Sequence, residues 1–189
     1  GTSSASATLY DEDSGTPSSP TPGDNLGDAT SFSVDNVTIS EGGLMAFTVS
    51  RSGDAEAAQT VDFATSIGGG SAESGDFTSN SGTLSFAQGV TSLTFSVQTT
   101  QDAVYEGDET FTVTLSNNSA GSTLADATGT GTIQDAGESG GDDDRPEVSV
   151  ASINNTAVEG TTNNTVSFIV SQTNESDFDT DVVVQLNLG

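Results

Sequence analysis

Between residues 31 and 134 apolar side chains recur at every second position in short bursts, and Gly, Ser, Asn or Asp clusters separate the bursts. A period of two puts successive side chains on opposite faces of an extended chain, so each burst predicts a strand with one buried face. Seven follow in order: 31–40 with Phe32, Val34, Val37 and Ile39; 44–51 with Met45, Phe47 and Val49; 59–66 with Val61 and Phe63; 82–87 with Leu84 and Phe86; 91–99 with Leu93, Phe95 and Val97; 109–116 with Phe111, Val113 and Leu115; and 127–134, Gly-rich and ending on Ile133. No segment sustains a helical period. Short strands at this spacing predict an all-β antiparallel sandwich, with the alternating Phe, Val and Leu as its core.

The acids lie between these strands. The stretch Q-D-A-V-Y-E-G-D-E-T-F, residues 101–111, places Asp102, Glu106, Asp108 and Glu109 within eight residues, in a loop joining the fifth and sixth strands. Crowded carboxylates repel one another unless a cation sits among them, and hard oxygen donors on a loop suit calcium. The competing explanation is a solvated acidic hairpin. Strand direction favours the cation. If successive strands alternate, the first, third, fifth and seventh run the same way, and four acid-bearing places fall at one pole: the first turn with Glu41, the third connection with Glu73 and Asp76, the 101–109 loop, and Asp135 after the last strand. The other pole receives Asp54, Glu56 and Asp126.

Composition narrows the chemistry. The 189 residues contain 28 Asp and Glu against 2 basic residues, Arg51 and Arg145, for a formal charge of −26. Nucleic acid is excluded as a partner because phosphate contacts need cationic side chains. With 0 His and 0 Cys, zinc sites, disulfides and Cys or His nucleophiles are absent, leaving oxygen-donor metals. No apolar run approaches the ~20 residues of a membrane span, so no membrane insertion is expected. The Ser-, Thr-, Asn- and Gly-rich composition reads as secreted or cell-surface.

The sequence repeats. S-F-S-V-D-N-V-T-I-S-E-G-G parallels V-S-V-A-S-I-N-N-T-A-V-E-G, with Glu41 matching Glu159, and Leu9-Tyr10-Asp11 parallels Ile133-Gln134-Asp135. The expected organisation is the last strand of a preceding repeat at 1–15, a Pro/Ser/Thr linker at 16–29, a complete domain at 30–137, an acidic linker at 138–146, and the first strands of an incomplete repeat at 147–189. Asp142–Asp144 are read as solvated linker, with folding back toward the acidic pole as the alternative.

The motifs S-E-G-G, V-D-F-A-T, S-G-D-F-T-S-N-S-G-T-L-S-F, Y-E-G-D-E-T-F-T-V-T-L-S and G-T-I-Q-D, in this order over residues 31–137, resemble the Calx-beta domain, and a partial second match covers 147–189. The resemblance implies a seven-strand immunoglobulin-like sandwich with Ca2+ at one pole. Carried over by position, its ligands are Glu41, Asp76, Asp102, the carbonyl of Val104, Glu106, Glu109 and Asp135; Asp108 is expected to be turn-exposed. The acid runs Gln101-Asp102-Ala103 and Asp135-Ala136-Gly137 are shorter than in the strongest calcium sensors of the family, so one or two ions are expected. Such domains regulate sodium–calcium exchangers and recur in bacterial surface adhesins. The favoured function is a calcium-stiffened spacer in an adhesin or fibre, not an enzyme, with neighbouring repeats, other copies in a fibre or cell-surface glycans as partners. The alternatives are a regulatory calcium-sensing domain of a transporter and a calcium-dependent glycan-binding module.

Overall fold

The computed structural model describes residues 29–135 except Asp54 and Glu56, together with 143–154, 156–157, 160, 165–179 and 181–185. The strand expected within 1–15, the 16–29 linker up to Ala29, and Glu159 lie outside these residues.

Among the described residues, ten strands precede residue 135: β1 (Thr30–Val34), β2 (Val37–Ser40), β3 (Leu44–Ser52), β4 (Gln59–Ser66), β5 (Ser81–Phe86), β6 (Ser92–Gln98), β7 (Val104–Tyr105), β8 (Glu109–Ser116), β9 (Ser122–Asp126) and β10 (Thr128–Gln134). They form an all-β sandwich of one sheet ordered β6-β3-β1-β9 and another ordered β2-β10-β8-β4-β5. Burial follows the alternation: in β3 Met45, Phe47, Val49 and Arg51 are buried between exposed or half-buried neighbours. The inward faces meet in one core, where Phe47 stacks on Phe95 at 5.4 Å between centroids and Phe95 on Phe63 at 3.9 Å. Full burial of such rings removes apolar surface worth roughly 1.5–3 kcal/mol each.

The first expected strand is two strands in different sheets. β1 pairs antiparallel with β3 and parallel with β9, whereas β2 pairs parallel with β10. Asp35 and Asn36 make the crossing: Asp35 Oδ1 accepts the Thr48 amide at 2.8 Å and Asn36 Oδ1 accepts the Thr130 amide at 2.7 Å. Strand β9 has no counterpart among the seven expected strands; its polar S-T-L-A-D carries a single large apolar residue, Leu124, half-buried against the core. The glycines of β10 answer to crowding. A Cβ on Gly131 would sit 2.4 Å from the Phe111 ring and 3.0 Å from Met45 Sδ, so the space over this strand is filled by its neighbours' side chains.

Beyond the sandwich, β11 (Val148–Asn154) pairs antiparallel with β12 (Ser167–Gln172), and a short β13 (Glu175–Ser176) pairs parallel with β7. Residues 181–185 form no strand. Val150, Ile153, Phe168 and Val170 are exposed, because no second sheet covers β11 and β12 among the described residues.

Candidate metal centre

Three connections and one strand end are tied together at one pole. The turn after β2 is held where Glu41 N donates to Gln134 O at 3.0 Å and Gly42 N to Thr100 O at 3.1 Å. The β4–β5 connection is fixed at both ends. Ala72 N donates to Thr110 O at 2.9 Å, and Phe77 is buried with its ring stacked on Phe111 at 4.1 Å. Thr100 N donates to Asp76 O at 2.7 Å, so the residue beside Phe77 is anchored to the loop after β6. Apolar packing of Phe77 thus sets the position of Asp76, and Phe111 does the same for Glu109 two residues earlier.

The result is a cleft lined by Glu41, Asp76, Asp102, Glu106, Glu109 and Asp135, with Thr100, Gly107 and Ile133. All six carboxylates that the resemblance implies as ligands line it, whereas Glu73, expected at the same pole, does not. Val104 does not line the cleft; its amide donates to Asp102 Oδ1 at 2.9 Å, and its strand pairs with β13. Asp108 is exposed in the turn. The acids fall into two groups. Asp76, Glu106 and Glu109 each offer an oxygen within 4.8 Å of the others, as do Glu41, Asp135 and Asp144. The second group corrects the reading of the acidic linker. Asp143 is exposed and paired with Arg145 at 2.7 Å, but Asp144 is only 5% exposed and lies at the pole; Asp142 lies outside the described residues.

Asp135 organises the loop. Its Oδ2 accepts the amides of Glu106 at 2.6 Å and Gly107 at 2.9 Å, a pair of convergent donors made possible by Gly107 at φ +76°. Its Oδ1 is buried with no hydrogen-bond partner. A buried carboxylate oxygen left unmet costs about 1–3 kcal/mol or more, so the chemistry of the position calls for a positive group. Burial, followed by the negative charges of Asp76, Asp102, Asp177 and Glu41, pushes Glu106 up to about 7. Glu109 is pushed up to about 8, first by burial, then by a hydrogen bond with Asp76 and the charges of Asp76, Glu106 and Glu73. The donor set is all oxygen, anionic and convergent on loops; it fits calcium, which takes six to eight oxygens in adaptable geometry.

Sequence reasoning missed Asp177, whose charge reaches Glu106, and the pairing of β13 with β7. Neither leaves a periodic signal, since β13 is two residues long.

Three comparisons bear on this pole. The family model of the Calx-beta domain matches residues 24–137. No curated protein matches the chain. Among solved structures, the apo form of the Calx CBD1 domain is similar at 28% identity and TM-score 0.53, over 57% of this chain and 98% of that one. CBD12 from CALX1.2 is similar at 29% identity and TM-score 0.51, over 55% of this chain and 44% of that one. The calcium binding domain CBD12 of CALX1.1 shares the fold at 22% identity and TM-score 0.52, over 76% of this chain and 73% of that one.

Proposed function

The chain belongs to the Calx-beta family, whose domains bind calcium, and from that premise we propose that its sandwich is a calcium-binding structural module of an extended extracellular or cell-surface protein, such as an adhesin or fibre. Glu41, Asp76, Asp102, Glu106, Glu109 and Asp135 are its ligand set. Bound calcium supplies positive charge and several oxygen-coordination positions between loops that otherwise repel. The loops' own contribution is rigidity. Phe77 and Phe111 hold Asp76 and Glu109 in place, while Asp135 holds the backbone of Glu106 and Gly107. The observation that carries this reading is the buried, unpartnered Oδ1 of Asp135, a residue of the cleft where six carboxylates meet. Its extracellular setting rests on the Ser-, Thr-, Asn- and Gly-rich composition together with the net charge of −26. Neighbouring repeats of the same protein are its partners, stacked head to tail, with calcium near each junction restricting the angle between them.

A second reading, a regulatory calcium-sensing domain, has support at least as strong from the similarity to Calx CBD1 across nearly all of that chain. Calcium affinity separates the two. Extracellular modules bind at about 0.1–1 mM and sensors at about 0.1–10 µM. The short acid runs favour the weaker range. Calorimetric titration of the chain should give a dissociation constant in the extracellular range, weakened on the order of tenfold or more by Glu106→Ala and unaffected by Asp126→Ala at the far pole. A micromolar constant would select the sensor. An absence of binding would remove both readings.

A further inference from the structure

The segment after the sandwich grips the acidic pole at two points. At the first, β13 adds to β7 in parallel, with Glu175 opposite Val104 and Ser176 opposite Tyr105, and Asp177 N donates to Tyr105 O at 3.1 Å. The Phe178 ring tilts against Tyr105, centroids 5.7 Å apart, and its edge lies 3.2 Å from where a Cβ on Gly107 would stand. Gly107 is the same residue whose amide holds Asp135 Oδ2. Phe178 therefore covers the outside of the turn whose inside cradles the buried carboxylate.

At the second point, Asp144 enters the group formed with Glu41 and Asp135, its carboxylate within 4.8 Å of theirs. Asp144 and Asp135 are each 5% exposed, so two acids are withdrawn from water side by side, and Asp135 is also the residue whose Oδ1 is buried with no hydrogen-bond partner. Two buried neighbouring carboxylates are strongly unfavourable without a cation between them. The two points are one unit, because the Asp144 carbonyl accepts the Asn174 side-chain amide at 3.0 Å, immediately before β13.

We propose that Asp144, which lies outside the residues matched by the family, is a calcium ligand shared with Glu41 and Asp135, and that pairing of β13 with β7 clamps it there. Ion binding and docking of the following segment are then one coupled event. Strand addition supplies main-chain hydrogen bonds and Phe178 supplies the apolar anchor. Coupling of this kind is reciprocal: whatever docking adds to calcium affinity, calcium adds to docking. This inference rests on the calcium reading above but makes a separate demand, that the site is incomplete without residues beyond the sandwich.

The test titrates calcium into the whole 189-residue chain, by calorimetry, and follows exchange of the Asp177 amide by NMR in parallel. Wild-type chain is expected to bind calcium and to protect that amide when calcium is added. Asp144→Asn should lose one ion from the stoichiometry or weaken it about tenfold, and should abolish the calcium-dependent protection. Phe178→Ala contacts no carboxylate of the group, yet should weaken the same ion severalfold through the clamp, while protection of β8 amides stays unchanged as a check on the fold. Asp126→Asn should leave both readouts at wild-type values. If both Asp144→Asn and Phe178→Ala bind calcium like wild type, the shared ligand and the clamp are refuted while calcium binding stands. If wild-type chain binds no calcium, the calcium reading fails with them.

Discussion

Without calcium stability should fall as pH rises, and the increment that calcium adds should grow over the same range. Glu106 is pushed up to about 7 and Glu109 to about 8, against about 4.3 for a glutamate in an unfolded chain. Between these values the folded, calcium-free protein binds more protons than the unfolded one, so stability falls as pH rises. The stabilising share is fully present below about 4.3 and is gone above about 8. Both side chains are partly exposed, so solvent screening reduces the size of the effect, while its sign stands. Calcium competes with those same protons and needs the ionised carboxylates, so its contribution grows as pH rises. At a free concentration one hundred times the dissociation constant it adds about 2.7 kcal/mol. A fold of about one hundred residues unfolds with an entropy near 0.2 kcal/mol/K, which converts that gain to a rise of roughly 13 °C in Tm. Thermal unfolding by circular dichroism at pH 5 and pH 8, with calcium or with chelator, should give Tm values that fall with pH under chelation and a calcium increment that widens toward pH 8. Repulsion across a chain of charge −26 pulls the chelated protein the same way. Glu109→Gln separates the two, since it removes a single charge but should flatten much of the slope. A chelated protein that gains stability from pH 5 to 8, or a calcium increment equal at both, would refute the assignment of these carboxylates to the cation.

Two further outcomes concern the scaffold. Gly131→Ala drives a methyl into Phe111 and Met45 and should cost about 1–3 kcal/mol in denaturant unfolding, with no comparable loss for Gly89→Ala beyond the strain of its turn. Arg51→Ala removes a buried guanidinium that donates to the carbonyls of Ala57 and Ala87 at 2.9 Å and stacks over Phe86; leaving those groups unmet should lower stability by about 2–4 kcal/mol, read from the same unfolding curves.

The sandwich was legible where alternation is strict. Residues 59–66 and 109–116 are strands over those same limits, because Val61 and Phe63 in the one and Phe111, Val113 and Leu115 in the other enter the core at alternate positions. Convergence of the acids was also legible, since strand direction alone decides which connections share a pole. The split of the first strand had a signal in its spacing. Phe32 and Val34 lie on even positions and Val37 and Ile39 on odd ones, so the buried face changes across Asp35-Asn36, as a strand that crosses between sheets requires. Strand β9 carried no such mark, and its pairing with β1 depends on the β8–β9 turn bringing it alongside. Asp144 and β13 were illegible for a different reason. One acid in a run of three looks the same whether solvated or buried, and a two-residue pairing between positions 104 and 175 has no period to read.

The divided first strand has a mechanical consequence. β1 lies parallel to β9 and β2 parallel to β10, so the beginning and the end of the sandwich run side by side in the same direction. Tension that enters at Thr30 and leaves at Asp135 pulls these neighbours along their own axes in opposite senses. The four residue pairs between β2 and β10 are then loaded in shear, all at once, instead of being peeled open one after another. Resistance to forced unfolding is a property of the unfolding rate, not of equilibrium stability. A domain knit in this way can withstand a sharp pull even where its core is modest, and a cation at the exit end of β10 sits where that pull is first felt.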